Sequence, residues 1–158
     1  MNKLVAKEKL DFCRIKKIFD KGFGFLSSLY YKENVFFHFS KIKDKEKRQI
    51  LLDLKRGVLS VFYTSKISNG KRKVDKVWLD INEVPPNLIS DFIDRLIWEL
   101  NDGTTNPFEI FDALNQIKKI NKLTKQNLSD IILSKKIVIN PSVLDKLLSH
   151  DEIKLVSK

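Results

Sequence analysis

The sequence has one cysteine, four prolines and five glycines among its 158 residues, and it has no long apolar run. A single cysteine, Cys13, excludes an internal disulfide framework, and there is no spaced Cys/His set of the kind that holds a structural zinc. The first residues lack the apolar region of a signal peptide. The aliphatic runs, such as 131–133 and 137–139, are no longer than three residues, far shorter than the roughly 18 residues that would span a bilayer. We therefore predict a soluble, cytoplasmic protein with no membrane segment, no metal site and no cofactor.

Positive charge is concentrated in the first part of the chain. The whole sequence carries 30 Lys and Arg against 20 Asp and Glu, which gives a formal net charge of +10. All of this excess lies in residues 1–85, because residues 86–158 contain as many acids as bases. Most of the phenylalanines also lie before Pro85. We infer a basic domain over residues 1–85, whose charge favours a polyanionic partner, and a neutral domain over residues 86–158.

Short segments rich in Phe, Ile, Val and Tyr predict that the first domain is built from strands. Asn69 and Gly70 indicate a hairpin, because both residues tolerate the positive φ of a type I′ turn. The connections leave no room for helical crossovers, which favours a small antiparallel barrel, with a helical turn expected around Ile50, Leu51 and Leu54. The five predicted strands are residues 13–18, 22–27, 35–39, 58–65 and 73–79.

The second domain has the apolar spacing of helices. Apolar residues recur at i, i+3, i+4 and i+7 across residues 89–100. Residues 137–139 fit either a short strand or an extended linker. Three further helices are predicted to begin at N-cap residues: Asn106 and Asn140, each followed by a proline, and Thr124.

Trp98 stands out in the first of these helices. It lies about 180° around the helix from Ile89, on the polar face. A tryptophan on a polar face indicates a contact with another protein, with a second copy of the chain or with the barrel. We therefore predict Trp98 as a partner-binding residue.

Two aromatic segments carry the strongest functional pattern. Residues 21–26 read KGFGFL, and residues 35–40 read VFFHFS. Alternate side chains of a strand share a face, so Phe23 and Phe25 point together, as do Phe36 and His38. Exposed rings among lysines suit unpaired bases, since each base stacked on an aromatic ring contributes roughly 1–3 kcal/mol. The alternative is a buried strand pair, which would leave Lys21 and the two glycines of KGFGFL without a role.

KGFGF also occurs in RRM domains, but there the shorter aromatic motif precedes the longer one, with a helix between them. Here the order is reversed and only residues 27–34 separate the two segments. Over about residues 13–79 the sequence instead resembles the cold-shock domain family, whose fold is a five-stranded OB-fold barrel that binds single-stranded RNA and DNA. The resemblance is carried by Ile15-Lys16, KGFGFL, the segment NVFFHFSKI at 34–42, and Leu54-x-x-Gly57 followed by Phe62.

This resemblance implies an all-β OB-fold barrel, here followed by a small α-helical domain, which makes the chain α+β overall. It also implies a set of nucleic-acid contacts. Asn34 stands in the place of a usual acidic residue. The residues that match family contacts are Lys16, Lys21, Phe23, Phe25, Phe36, His38 and Phe39.

The sequence departs from the family at several positions. Lys17 stands where a stacking Trp is usual, Cys13 where a Gly is usual, and the aromatic residue of the long loop is missing. We therefore expect weaker base discrimination and a steeper salt dependence than in a typical member, with Lys17 contacting phosphate. Tyr30 and Tyr31 either replace some of the stacking or anchor their loop.

These observations predict a protein that binds single-stranded RNA or DNA, as an RNA chaperone or expression regulator, with residues 86–158 serving dimerisation or partner binding. The alternative is an adaptor subunit whose helical domain recruits a protein partner to nucleic acid. A nuclease is a third interpretation, but His38 and His150 are the only histidines and no catalytic motif is present. We therefore predict that the protein is not an enzyme.

Overall fold

The chain divides into two structural units, Met1–Leu88 and Ile89–Lys158. The computed structural model describes residues 8–15, 23–52 and 59–146. Among these residues, no helix combines the length and the apolar character that crossing a membrane requires.

The five strands of the first unit form one curled sheet, a half barrel. The strand order across the sheet is β1-β4-β5-β3-β2, and every neighbouring pair is antiparallel except β3 and β5, which are parallel. A helix, α1 (Lys45–Leu52), lies between β3 and β4. The strands are β1 (Asp11–Ile15), β2 (Phe23–Leu26), β3 (Val35–His38), β4 (Leu59–Ser68) and β5 (Lys71–Trp78).

The hairpin between β4 and β5 turns at the predicted residues. Asn69 has a φ of 52° and Gly70 a φ of 75°, which is the backbone conformation that a type I′ turn requires. The register of the two strands shifts between Thr64 and Ser65, at a β-bulge. A bulge increases the local twist of a sheet, and this one contributes to the curl.

On β2 and β3 only one face of the curled sheet is buried, whereas on β1 and β4 the paired Phe12 and Phe62 are buried on the other face as well. Leu26, Val35 and Phe37 are fully buried, whereas Phe23 and Phe25 are exposed. The period of two along β2 and β3 therefore separates a core side from a solvent side. The core of this unit consists of Cys13, Ile15, Leu26, Val35, Phe37, Ile42, Val61, Tyr63 and Val74.

Side chains connect the two edges of the sheet. Asp11 of β1 accepts hydrogen bonds from the Ser28 hydroxyl and from the Leu29 N–H, the latter at 2.8 Å, just beyond the end of β2. The Ser27 hydroxyl donates to the Cys13 thiol at 3.3 Å, and the Tyr63 hydroxyl donates to the Ser27 carbonyl at 2.6 Å. The curl thus brings β1 to the chain that leaves β2, although no ladder joins these strands within the described residues.

The second unit is helical, and two of its helices begin at the predicted caps. The Asn106 side chain accepts from the Phe108 N–H at 2.9 Å, and Thr124 forms a reciprocal capping box with Asn127. α2 begins at Pro86, a few residues before the predicted helix. The helices are α2 (Pro86–Asn101), α3 (Pro107–Lys119), α4 (Lys125–Ile132) and α5 (Lys135–Ile139).

The sequence-based predictions differ from the structure near the end of the described chain. Residues 137–139 belong to α5 and are neither a strand nor an extended linker. Pro141–Lys146 is a 3₁₀ helix and not the start of an α-helix. The Asn140 side chain accepts from the Ser142 hydroxyl at 2.7 Å. An N-cap side chain accepts from a backbone N–H, so this contact is not a helix cap.

Lys136 ties α5 to the end of α2. Its ammonium group donates to the carbonyls of Glu99 at 2.7 Å, Gly103 at 2.6 Å and Thr105 at 3.3 Å. The Glu99 carbonyl lies in the last turn of α2 and also accepts from the Gly103 N–H at 3.2 Å, so the cation from α5 is a second donor to it. The Glu99 carboxylate is itself buried and accepts from the Thr105 hydroxyl.

Candidate nucleic-acid interface

Pairing of β2 with β3 brings the two aromatic motifs side by side. Phe23 lies opposite His38 and Phe25 lies opposite Phe36 in an antiparallel register. The Phe36 ring centroid is 5.8 Å from that of Phe23 and 5.8 Å from that of Phe25. The three phenyl rings therefore form one continuous cluster, and with His38 we call it the aromatic face.

The aromatic face points to solvent. Phe23 is 41% exposed and Phe25 is 58% exposed, Phe36 is half-buried, and His38 is exposed. Phe37, which lies between Phe36 and His38 in the sequence, is fully buried on the opposite side. The alternative of a wholly buried strand pair is therefore wrong for Phe23 and Phe25.

Gly24 lies between the two exposed rings in the sequence of β2. It is buried between Phe23 and Phe25 on the core side, opposite Phe37. With no side chain at Gly24, the Phe37 ring can fill the core directly beneath the aromatic face. Packing in the core thus supports the backbone that carries the exposed rings.

His38 has a fixed ring orientation at one end of the aromatic face. The Ser40 backbone N–H donates to Nδ1 of His38 at 3.0 Å, and the Ser40 hydroxyl lies 2.8 Å from the same nitrogen. Since Nδ1 accepts the backbone hydrogen bond, the neutral ring carries its proton on Nε2. His38 can therefore offer an N–H donor as well as a flat surface to a ligand.

Lys73 borders the aromatic face, although nothing in the sequence predicted this position. It lies next to Phe36, because β5 pairs with β3 in parallel at these two residues. Its neighbour on β4, Lys66, pairs with it in the hairpin and forms an ion pair with Asp75 at 3.1 Å. The hairpin of β4 and β5 could be predicted from the sequence. The parallel pairing of β5 with β3 joins residues far apart in the chain, and no local sequence pattern indicated it.

The loop between β2 and β3 holds the two adjacent tyrosines. The guanidinium carbon of Arg72 lies 3.6 Å from the centroid of the Tyr31 ring, and the ammonium of Lys9 lies 5.2 Å from that of Tyr30. These are cation–π contacts, and the one on Tyr31 covers a face of its ring. Tyr31 thus matches the loop-anchor interpretation, while Tyr30, the predicted binding residue, is half-buried.

Asp11 holds the start of this loop. Besides Ser28 and Leu29, its carboxylate accepts from the Phe12 N–H at 2.8 Å, and the side chain is 2% exposed. Burial raises the pKa of Asp11 above its ordinary value of 3.8, although its hydrogen-bond donors oppose that shift. The carboxyl therefore has a structural role between β1 and the loop.

Other predicted contacts are placed only in part. Asn34 is exposed and directly precedes β3. Phe39 begins a 3₁₀ helix (Phe39–Lys41), so β3 ends at His38, one residue before the predicted end of the strand. Lys16, Lys17 and Lys21 lie outside the described residues, and so does His150.

Trp98, the predicted partner-binding residue, is 43% exposed on α2. The guanidinium carbon of Arg95 lies 4.1 Å from the centroid of its ring, and Arg95 also reaches the Glu99 carboxylate at 3.6 Å. The indole therefore keeps a solvent-facing surface while a cation from its own helix covers part of the ring.

Comparison with known proteins finds no match: no protein-family model, no curated protein and no solved structure matches this chain.

Proposed function

We propose that the first unit is a cold-shock-like barrel of OB type that binds single-stranded RNA or DNA on the aromatic face, as an RNA chaperone or expression regulator. The observation that carries the proposal is the cluster of three phenyl rings, in which Phe36 lies 5.8 Å from each of the exposed rings of Phe23 and Phe25. Exposed apolar rings cost free energy, because each Å² of apolar surface left in water forgoes about 25 cal/mol. A ligand that covers them recovers that free energy.

Unpaired bases suit this surface better than other ligands of a basic protein. Each base presents a flat π-face, and its stacking is sequence-tolerant. The residues next to the rings supply what a polynucleotide backbone needs: Lys73 offers a positive charge and His38 offers an N–H donor. The formal charge of +10 attracts a polyanion from a distance.

The contacts between the sheet edges support the barrel architecture. A curled sheet of five strands becomes a closed barrel when its two edge strands meet along a seam, and here the edge strands are β1 and β2. Asp11 and Cys13 of β1 make hydrogen bonds to residues that follow β2, and these contacts lie along that seam. An OB-fold is a five-stranded, partly open barrel, which agrees with this arrangement.

The test is oligonucleotide binding by the full chain, measured by fluorescence anisotropy with labelled octathymidylate and octauridylate. In Phe23→Ala/Phe36→Ala we expect affinity to fall by about tenfold or more, because each lost stacking contact is worth roughly 1–3 kcal/mol. Phe108→Ala is the matched control, since Phe108 is an exposed phenylalanine of the helical unit. Circular dichroism must show that the double variant stays folded. Unchanged affinity in that folded variant would contradict the proposal.

A second candidate function is that of an adaptor whose helical unit recruits a protein. The exposure of Trp98 favours it, together with Leu133 and Ile139, which are also exposed in this unit. In cells that produce the full chain, quantitative affinity purification would compare the wild type with Trp98→Lys. A stoichiometric protein lost only in the variant would support the adaptor, and identical recovered proteins would count against it.

A further inference from the structure

A cavity of about 310 Å³ lies at the edge of the sheet where β3 and β5 both end. These two strands are parallel, so their carboxyl ends point to the same edge. The segment that follows β3 lines one side of the cavity, and Val77, Trp78 and Leu79 at the end of β5 line the other. Ligand sites in proteins start at about 300 Å³, so the cavity has room for one small group.

The cavity is lined by Trp78, by three lysines and by two acids: Lys41, Lys43, Lys47, Asp44 and Glu83. Trp78 is half-buried, and Val77 and Leu79 beside it pack against the barrel core. Lys41 and Lys43 are exposed at the rim, and within the described residues neither forms an ion pair. An indole surface next to free ammonium groups suits a nucleotide, whose base can stack while its phosphate meets a cation.

The cavity lies close to one end of the aromatic face. His38 is the last residue of β3, and the 3₁₀ helix Phe39–Lys41 leads directly to the cavity wall. At about 2 Å of rise per residue, three residues of 3₁₀ helix cover roughly 6 Å. A polynucleotide that leaves the aromatic face at the Phe23 and His38 end therefore reaches Lys41 directly.

We infer that this cavity binds a nucleotide of the strand held by the aromatic face, with the base against Trp78 and the phosphate between Lys41 and Lys43. The inference rests on the proposed function and extends it to a second subsite. It makes the binding site longer than the aromatic face alone.

Two carboxylates lower the positive charge of this subsite. Asp44 lines the cavity and accepts from the backbone N–H of Glu46 at 2.9 Å. Glu83 also lines the cavity, and its carboxylate accepts from the Lys47 ammonium. The hydrogen bond to Glu83 raises the pKa of Lys47, so this cation is fully charged but is occupied by a carboxylate. Glu83 therefore repels an incoming phosphate and engages a cation that could otherwise bind it.

The first test uses Trp78 as a reporter. The chain has two tryptophans, so Trp98→Phe leaves Trp78 as the only indole. Octathymidylate should quench the fluorescence of this variant, whereas trithymidylate, which covers only the aromatic face, should quench it little. The matched control is Trp78→Phe, in which the remaining Trp98 should not respond. Octathymidylate that binds without quenching Trp78 would overturn the inference.

The second test measures affinity and uses two surface substitutions of opposite sign. For octathymidylate, Lys43→Gln should weaken binding by about threefold, and Glu83→Gln should strengthen it by about as much, because a single phosphate contact changes in each. Trithymidylate should bind all variants alike. Lys119→Gln on the exposed side of α3 is the control for net charge.

The outcomes separate the two proposals. If the wild type binds no oligonucleotide, both the proposed function and the subsite fall. If octathymidylate binding depends on Phe23 and Phe36 but is the same in Lys43→Gln, Glu83→Gln and Lys119→Gln, the proposed function stands and the subsite falls. A loss in Lys119→Gln equal to that in Lys43→Gln would also overturn the subsite, because the effect would be one of net charge.

Discussion

The two units use lysine in opposite ways. In the helical unit the Lys136 ammonium is surrounded by three carbonyl oxygens and contributes to the fold. In the first unit, Lys73 of β5, Lys41 of the 3₁₀ helix and Lys43 after it have no ion pair among the described residues, and they lie around the aromatic face and the cavity. A lysine whose donors are already used is structural, and one whose donors are free can bind. Net charge alone would not have separated the two cases.

The largest expected effect is on stability, and it concerns the structural lysine, Lys136. Lys136→Met keeps the length of the side chain but removes the donor, leaving carbonyls of Glu99, Gly103 and Thr105 without this partner. The Glu99 carbonyl keeps the Gly103 N–H as a donor, and the Gly103 and Thr105 carbonyls are only partly buried. We expect a loss of about 1.5 kcal/mol in the free energy of unfolding, since a hydrogen bond from a charged donor contributes roughly 1.5–3 kcal/mol. Urea unfolding followed by circular dichroism measures it, and octathymidylate affinity should not change.

The neighbouring lysine supplies the control. Lys135 forms an exposed ion pair with Asp102 at 3.3 Å, and such pairs contribute less than about 1 kcal/mol. Lys135→Met should therefore alter stability much less than Lys136→Met. Equal losses in the two variants would show that the three carbonyl contacts contribute no more to stability than the exposed ion pair does.

The next prediction tests the opposite use of lysine. Lys73→Gln should weaken octathymidylate binding by about threefold and reduce the slope of log affinity against log salt by about 0.7, the change for one phosphate on a single strand. The free energy of unfolding should change by no more than about 0.5 kcal/mol. Salt titrations of the wild type and the variant provide the measurement. An unchanged slope would place Lys73 outside the interface.

Local patterns in the sequence predicted much of what the structure shows. Asn69 and Gly70 determine their hairpin through their own backbone preferences, and Asn106 and Thr124 cap the helices that follow them. Alternation along β2 was enough to predict that Phe23 and Phe25 share a face, because a strand has a period of two whatever its partner is.

Features that depend on distant pairing could not be predicted in the same way. Lys73 reaches Phe36 through the parallel contact of β5 with β3, and Trp78 reaches the segment after β3 through the same contact. A short apolar run such as 137–139 has no periodicity of its own that distinguishes strand from helix, and the structure places it in α5. Lys136 gave no signal because its partners are backbone atoms.

The smallest predicted effect concerns Asp11. Like Lys136 in the helical unit, this residue makes three hydrogen bonds that stabilise the fold of its own unit. Asn can keep the oxygen that accepts from the Phe12 and Leu29 N–H groups, but its amide group replaces the oxygen that accepts from the Ser28 hydroxyl. The Ser28 oxygen already accepts from the Tyr30 N–H at 3.0 Å and from the Tyr31 N–H at 3.1 Å, so it has no lone pair left for this amide. We therefore expect Asp11→Asn to fold with a loss of about 0.5 kcal/mol in the free energy of unfolding, because one hydrogen bond is lost. The difference between the two proteins should depend on pH.

The direction of that dependence follows from burial. Because burial raises the pKa of Asp11 above 3.8, the folded protein holds this proton more tightly than the unfolded chain. The carboxyl thus contributes most stability below pH 3.8, and that contribution is lost as the pH rises through the folded-state pKa. Urea unfolding of both proteins between pH 4 and pH 8 should show the wild type losing stability relative to Asp11→Asn as pH increases. If the wild type instead gains stability relative to Asp11→Asn as the pH rises, the hydrogen-bond donors around Asp11 outweigh its desolvation, and the carboxylate itself stabilises the contact between β1 and the loop.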